Sequence, residues 1–168
     1  MAANTPFRTY ATFAHFSGVR DPMFIAWPAR ILQTGLRSQF CHAVDLAPTV
    51  LEAAGLEPPA AYHGVAQQPL HGTSLVYAFD EPNADSKKLI QHFEFNANRA
   101  LFAQGWKLAL THRRGRPVDE DAWELYDLSA DYNETSDLAG RRPEMVRALS
   151  ELWWAEAGKY GVLPMNDV

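Results

Sequence analysis

The chain lacks several features that would assign a function class directly. It has one cysteine, Cys41, among 168 residues, which excludes an intrachain disulfide and a zinc site built from several thiolates. It has no apolar run of about 18 residues, so no segment is predicted to span a membrane. Basic residues are outnumbered, with 15 Lys and Arg against 20 Asp and Glu, and the net charge of −5 argues against a nucleic-acid-binding surface.

The catalytic motifs that spacing alone can reveal are also missing. The six histidines show no His-Glu-x-x-His spacing, no Gly-x-Ser-x-Gly elbow follows a strand, and no glycine-rich phosphate loop is present. His63 and His71 share a loop without acidic neighbours, and we interpret them as turn or surface residues. Cys41 is followed by His42, but adjacent side chains on a strand or helix point apart. Cys41 is therefore interpreted as a buried, unreactive thiol.

What the chain does contain is typical of a folded globular protein. Apolar residues make up 47% of the sequence, aromatic residues 12% and charged residues 21%. These proportions exclude long disordered, collagen-like and coiled-coil classes. The order of the local patterns carries the remaining information.

The first half of the chain combines a strand signal with a helix signal. Residues 23–27 form an unbroken apolar run that Pro28 stops, which is typical of a strand buried on both faces of a parallel sheet. A helix follows, with Asp45 as its cap, Pro48 in its first turn and Gly55 at its end. The residues expected on its buried face are Leu46, Val50, Leu51 and Ala54. A buried strand followed by a helix indicates an α/β fold.

The second half predicts an antiparallel sheet and a terminal helix. The strand candidates are residues 89–95, 100–103, 106–111 and 123–128, and Gln104-Gly105 is expected to form a hairpin turn between the middle two. Pro143 suits the start of the last helix, which Gly158 or Gly161 would end. The residues that recur at helical spacing, and should cover one face of the sheet, are Val146, Leu149, Trp153, Ala157 and Tyr160.

Carboxylates cluster after the last predicted strand. They are Asp127, Asp131, Glu134 and Asp137. A calcium-binding loop and a set of solvated turn and cap residues are the two interpretations, and we favour the second because Asp commonly stabilises turns through its own backbone.

Several segments together resemble the C-terminal part of a sulfatase of the arylsulfatase type, within the alkaline phosphatase-like superfamily. The first two are residues 4–8 (NTPFR) and 15–22 (HFSGVRDP), which resemble the loop that ends in Gly-Gly-x-Arg-x-Pro. The others are residues 23–31 (MFIAWPARI), 42–55 (HAVDLAPTVLEAAG), 68–75 (QPLHGTSL) and 123–128 (WELYDL), with Glu134 and residues 137–139 (DLA). The resemblance covers nearly the whole chain and keeps the order of the family.

The resemblance implies the fold and its organisation. We expect an α/β chain in which residues 1–75 are the end of an alkaline phosphatase-like α/β domain. Residues 76–168 would form a C-terminal subdomain, a small antiparallel sheet packed on the C-terminal helix.

The resemblance also implies a chemistry that this chain would not complete alone. Sulfatases use a formylglycine made from the Cys of a Cys-x-Pro-x-Arg motif, and a calcium ion that polarises the sulfate. Fixed positive groups stabilise the developing charge. Cys41 lacks the Pro and Arg of that motif, and the metal-binding carboxylates would lie upstream. We therefore expect a sulfate-ester substrate and calcium for the intact enzyme, no metal site in this chain, and no turnover by the chain alone.

A few residues are expected at the rim of that active site. Ala11 occupies the position where the resemblance implies a sulfate-binding lysine. His15 would contact the leaving group or orient the loop, and Arg20 would line the rim or brace the loop. Glu94 and Asn98 resemble a segment that faces the active site, with a sheet edge of satisfied polar groups as the alternative.

The sequence is also compatible with two other functions. Ala11 permits a phosphonate or phosphate monoester hydrolase of the same superfamily, or a degenerate sulfatase. A stand-alone binding or structural module without catalysis is the other alternative, and it predicts that residues 1–20 and 23–27 pack into a closed core.

Overall fold

The structure, a computed structural model, describes residues 6–7 and 9–165, which form two compact units. The first unit contains the N-terminal segment up to Pro22 together with the residues from Ile90 onward. The second unit runs from Met23 to Leu89. The sequence boundary between residues 75 and 76 concerns the domains of a longer enzyme and stays a prediction. Of the NTPFR motif, residues 4, 5 and 8 lie outside the described residues.

The elements within the described residues follow in chain order. The helices are α1 (Phe16–Val19), α2 (Leu46–Ala54), α3 (Tyr77–Asp80) and α4 (Pro143–Lys159), with 3₁₀ turns at Ala43–Asp45, Val118–Glu120 and Ala139–Arg141. The strands are β1 (Ala61–Tyr62), β2 (Val65–Ala66), β3 (Ile90–Phe95), β4 (Asn98–Ala103), β5 (Trp106–Leu110) and β6 (Glu124–Asp127). None of these helices is both long and apolar enough to cross a bilayer.

The first unit is built on an antiparallel sheet with the order β3-β4-β5-β6, as the sequence predicts. Gln104-Gly105 forms the expected turn, with φ angles of 48° and 86°. A second two-residue turn, Asn96-Ala97, joins β3 to β4 with φ angles of 50° and 62°. Alanine seldom adopts positive φ, so this turn has little sequence signal. Here the Glu94 carboxylate supports it by accepting the Ala97 N–H at 2.7 Å.

Helix α4 covers one face of this sheet, as predicted. Trp153 and Ala157 are fully buried against Leu101, Leu108 and Leu125, which point to the same face because side chains alternate along a strand. The Trp153 indole N–H donates to the Phe93 carbonyl at 3.2 Å. The helical periodicity therefore located both the helix and its buried stripe.

The opposite face of the sheet carries the N-terminal segment, residues 9–20. Ala14 packs against Ala100 and Ala109, where the absence of larger side chains lets the backbone approach. The Asn98 side chain donates to the Thr12 carbonyl at 3.1 Å. The sheet is thus covered on both faces, by a regular helix on one and by a largely irregular segment on the other.

The second unit contains the predicted helix, but the buried face of that helix is not the predicted one. Helix α2 ends at Gly55, which has the left-handed backbone expected of a C-cap. Leu46, Val50 and Ala54, predicted to be buried, are exposed, whereas Thr49 is buried. The prediction is wrong because the Thr49 hydroxyl bonds to the Asp45 carbonyl at 2.6 Å and accepts the Leu75 N–H at 2.9 Å. Polar contacts, rather than the apolar stripe, decide which side faces inward.

Asp45 is the centre of that polar cluster. Its carboxylate accepts the backbone N–H groups of His42 and Thr73, each at 2.7 Å, and lies 3.1 Å from the Lys88 ammonium. Asp45 stands at the N-cap position of α2, as predicted, but its side chain makes no capping bond to that helix. It acts instead as the N3 partner of His42 in the capping box of the preceding 3₁₀ turn.

The predicted strand at residues 23–27 is wrong for this chain. These residues form no strand, and Phe24 is 93% exposed. A parallel strand needs neighbouring strands to bond with, and the described residues supply none there.

Candidate functional site

The residues expected at an active-site rim all lie in the first unit. Ala11, His15 and Arg20 belong to the N-terminal segment, and Glu94 and Asn98 flank the β3–β4 turn. The Asn98 contact to Thr12 brings the residue after Ala11 against this turn. Ala11 itself is exposed. The structure therefore brings Ala11, His15, Arg20 and Asn98 to one side of the sheet, whereas Glu94, opposite Arg99 in the strand pairing, points to the other face. Their role toward a substrate stays a prediction.

His15 is buried, with 1% of its surface exposed, and contacts strand β6. Its Nε2 lies 2.9 Å from the Glu124 carboxylate, which also accepts the Tyr126 hydroxyl. Glu124 and Tyr126 are two residues apart on a strand, so both point to the face that the N-terminal segment covers. This geometry favours the loop-orienting role of His15 over direct contact with a leaving group.

Arg20 lies at the exposed end of the same segment. Its guanidinium stands 4.4 Å from the ring centroid of Tyr132 and 5.9 Å from that of Phe7. Both distances fit cation–π contacts. Arg20 can therefore brace the segment while its charge stays accessible to an anion.

Glu94 and Asn98 serve the β3–β4 turn. Glu94 accepts the Ala97 N–H, as described above. Asn98 donates to the Phe95 carbonyl at 3.1 Å and accepts the His112 N–H at 3.0 Å. These contacts match the alternative of a sheet edge with satisfied polar groups.

A buried ion pair that the sequence did not predict lies beneath Phe16. Lys107, on β5, is fully buried, and its Nζ lies 2.8 Å from Glu134 Oε1. The other oxygen, Oε2, accepts the Phe16 backbone N–H at 2.8 Å. Burial lowers the pKa of Lys107 to about 8, against the opposing attraction of Glu134. A lysine inside an otherwise apolar strand was the one sequence signal for this pair.

The interpretation of Glu134 as a solvated turn residue is therefore wrong. It is 1% exposed, because α1 and β5 close over it. For Asp127 and Asp131 the interpretation is confirmed. Asp127 accepts the Ser129 N–H at 3.0 Å, and Asp131 accepts the N–H groups of Thr135 and Ser136 at 2.8 and 2.7 Å.

A second charged cluster lies on the helix-covered face. Arg99 pairs with Asp121, which also lies 2.8 Å from His112 Nδ1. The Arg99 guanidinium stands 5.4 to 5.7 Å from the ring centroids of three tryptophans, Trp123, Trp153 and Trp154. Burial lowers the pKa of Arg99, and Asp121 opposes that effect. This cluster joins β4, the loop between β5 and β6, and α4.

The part of the chain that the structure describes contains neither a group of side chains placed to hold a metal ion nor a reactive thiol. Within the ranges 6–7 and 9–165, no three His, Cys, Asp or Glu side chains are placed to hold a metal ion, so these residues do not fit a calcium site. Cys41 is half-buried rather than fully buried, and burial together with Asp45 raises the pKa of its thiol. A thiol with a raised pKa is mostly protonated at neutral pH and a poor nucleophile.

The amino-acid sequence of the chain matches a known protein family. Residues 11–154 match the family described as N-sulphoglucosamine sulphohydrolase, C-terminal. The chain belongs to this sulfatase family. The matched range begins at Ala11 and includes His15, Arg20, Glu94 and Asn98.

Curated sulfatases are similar to the chain over most of its length. An uncharacterized sulfatase of Schizosaccharomyces pombe is 27% identical across 99% of this chain and 30% of that protein. Two proteins of Bacteroides thetaiotaomicron, an N-acetylglucosamine-6-O-sulfatase and an N-acetylgalactosamine-6-O-sulfatase, are 28% and 27% identical across 79% and 83% of this chain. The chain spans 30%, 24% and 27% of the lengths of these three relatives.

Solved structures show the same fold. A structure from work on glycosaminoglycan metabolism by Bacteroides thetaiotaomicron has a TM-score of 0.66 at 21% identity, covering 86% of this chain and 30% of that one. The crystal structure of Ps i-CgsB has a TM-score of 0.62 at 19% identity, covering 89% and 32%. These likenesses confirm the predicted fold class, a mixed α/β chain with an antiparallel sheet and a C-terminal helix.

Proposed function

We propose that the protein containing this chain hydrolyses sulfate esters. The observation that carries the proposal is the sulfatase family match over residues 11–154. The matched range includes the residues that hold the N-terminal segment on the sheet. Within that protein, the chain would supply one wall of the active site rather than the reacting groups.

The reacting groups are assigned to parts of the protein outside this chain. A formylglycine would be the nucleophile and a calcium ion would polarise the sulfate, as the family resemblance implies. The described residues do not fit a calcium site. No step through the metal is therefore derived from them, and the chain alone is expected to show no turnover.

The proposed substrate is a sulfated sugar. The two Bacteroides thetaiotaomicron relatives are named as 6-O-sulfatases of N-acetylglucosamine and N-acetylgalactosamine. On the side of this chain, the exposed guanidinium of Arg20 is a group that could bind an anionic sugar substituent.

Ala11 supports a second candidate, a phosphonate or phosphate monoester hydrolase of the same superfamily. The position is exposed, and alanine offers no charge to a sulfate. Losing one donor at a developing negative charge can cost about a hundredfold to a thousandfold in rate. An enzyme with this substitution would need another cation for a sulfate, or would act on a different ester.

One experiment separates these functions and tests Ala11. The whole protein is assayed with an aryl sulfate, a sulfated amino sugar, a phosphate monoester and a phosphonate monoester, each with calcium. We expect turnover of the sulfates, and we expect Ala11→Lys to raise kcat/KM for them, by up to about a hundredfold. Ala11→Gln, which adds length without charge, is the matched control. Turnover of the phosphorus esters alone would support the second candidate.

The assignment of the reacting groups has its own test. Calcium-supplemented assays of the 168-residue chain alone should give no product from any of the four esters. Turnover by that chain would contradict the proposal, as would an upstream sequence without the Cys-x-Pro-x-Arg motif.

A further inference from the structure

The N-terminal segment is held more firmly than its irregular backbone would suggest. Apart from the single turn of α1, residues 9–20 form no regular element, yet the residues from Ala14 to Ser17 are all buried. Regular hydrogen bonding does not explain this burial. Contacts to side chains on the sheet and on the loop after β6 must set the position of the segment.

Glu134 contacts both the segment and the sheet. Each of its carboxylate oxygens has a different partner, with Oε2 on the Phe16 N–H and Oε1 on the Lys107 ammonium, both at 2.8 Å. Lys107 Nζ lies 4.1 Å from the centroid of the Phe16 ring. One residue of the segment is thus engaged through both its backbone and its side chain, by groups from two different elements.

The loop that presents Glu134 is itself held in an unfavourable conformation. Glu134 has a φ of 55°, which a residue with a long side chain adopts only when its surroundings enforce it. Asp131 enforces it by accepting the N–H groups of Thr135 and Ser136. Tyr132, in the same loop, contacts Phe16 with ring centroids 5.6 Å apart and stacks under Arg20.

Because the charges of Lys107 and Glu134 are both buried under the N-terminal segment, we expect the segment either to pack fully on the sheet or to detach from it. A buried ion pair adds little net stability over apolar side chains of equal size, but removing one partner leaves an uncompensated charge. If the segment lifted, the Phe16 ring would uncover Lys107 and the Phe16 N–H would lose its acceptor. This arrangement therefore specifies one register of the segment more than it adds stability.

We infer that Glu134 and Lys107 are positioning residues that set the register of residues 10–20 on the sheet. Through that segment they determine where Ala11, His15 and Arg20 stand. Their effect on the segment is independent of any activity, whereas its catalytic consequence rests on the proposed sulfatase function.

The first test needs no substitution. Residue-resolved amide hydrogen exchange of the whole protein should show the Phe16 amide protected by at least about tenfold over the amides of the exposed residues 10–12. Equal exchange at Phe16 and at residues 10–12 would overturn the inference even if every variant below failed to fold.

The second test compares two double variants, Glu134→Gln with Lys107→Met and Glu134→Met with Lys107→Met. Both remove the two charges and keep the side-chain volumes, and they differ in the oxygen that can accept the Phe16 N–H. We expect exchange at residues 13–19 to be about tenfold to a hundredfold faster in the Met–Met variant than in the Gln–Met variant. Exchange in β4 and β5 should stay slow in both, because the sheet remains folded.

Activity provides the catalytic readout. For the whole protein acting on a sulfate ester, kcat should fall in the Met–Met variant and recover in the Gln–Met variant. Equal exchange in the two variants overturns the inference, whether or not the protein is a sulfatase. The expected exchange difference in a protein without sulfatase activity supports the positioning role and instead contradicts the proposed function.

Discussion

At the scale of single residues, the least expected feature is a lysine inside the sheet. Lys107 sits between Trp106 and Leu108 on β5, with no part of its surface exposed. Taking an ammonium out of water is costly unless a partner and further contacts compensate. Glu134 and the Phe16 ring supply that compensation, so this site can keep a charge where the sequence pattern would predict an apolar side chain.

The lowered pKa of Lys107 gives stability a defined pH dependence. Its pKa is about 8 in the folded protein and 10.5 in the unfolded chain. Between those values the unfolded chain binds more protons, so this group makes the free energy of unfolding rise with pH, by at most about 1.4 kcal/mol per pH unit. Below about pH 8 both states are protonated and the contribution is flat.

This dependence is measured as a difference between proteins. The free energy of unfolding in urea is measured for the wild type and for Lys107→Met. The wild-type value minus the variant value should increase from pH 8 to 10.5, since the variant lacks the titrating group. Lys159→Met is the control, because hydrogen bonding to Tyr160 and the charge of Glu156 raise the pKa of Lys159. Its difference should stay flat over that range and fall only above about pH 10.5, as the pH rises through the raised pKa of folded Lys159. A flat Lys107 difference would contradict the shift.

At the scale of elements, local patterns were predictable and non-local ones were not. Strands β3 to β6 and helix α4 follow from alternation, helical spacing and the Gln104-Gly105 turn, all of which are read within a few residues. The strand expected at residues 23–27 depends on neighbours that the described residues do not supply. The Lys107–Glu134 pair joins distant parts of the chain, so no spacing rule could reveal it.

In the candidate site, the positions of the residues could be predicted from the sequence, whereas their roles could not. Its positions came from short motifs, and the structure brings Ala11, His15 and Asn98 to one side of the sheet. The roles of His15 and Glu94 could not be read from the sequence, because they depend on partners at Glu124 and Ala97. Sequence locates such residues, whereas only tertiary contacts separate orienting roles from direct ones.

The turn between β4 and β5 can be improved by one substitution. Gln104 has a φ of 48°, a backbone region that asparagine tolerates better, and Asn-Gly is the preferred pair for this turn. Gln104→Asn should raise the free energy of unfolding by a few tenths to about 1 kcal/mol, measured by urea denaturation. Gly105→Ala, at a φ of 86°, should lower it. A lower midpoint for Gln104→Asn would contradict the turn geometry.

At the scale of the whole molecule, the second unit leaves an unusual amount of apolar surface uncovered. Phe24, Leu32 and Leu36 are 93%, 85% and 98% exposed, although they follow one another closely in the chain. Exposed apolar patches of this kind mark interaction surfaces or cause association. The closed core that a stand-alone module predicts is therefore not formed around residues 23–27.

Replacing these three side chains together should change association but not stability. The triple variant Phe24→Ser, Leu32→Ser, Leu36→Ser should bind less of an apolar-surface dye and sediment with less concentration dependence than the wild-type chain. Its free energy of unfolding should stay within about 0.5 kcal/mol, because little of the removed surface is buried. Leu56→Ser, outside this run, is the control. Unchanged dye binding in the triple variant would show that the run is covered.

The cluster around Arg99 has an optical consequence. Trp123, Trp153 and Trp154 are three of the five tryptophans, with ring centroids 6.0 and 5.1 Å from Trp153 to the other two. Indoles this close couple their electronic transitions, and a guanidinium beside them shifts their emission energy. The near-ultraviolet dichroism and fluorescence of the protein therefore report the packing of α4 on the sheet, without any added label.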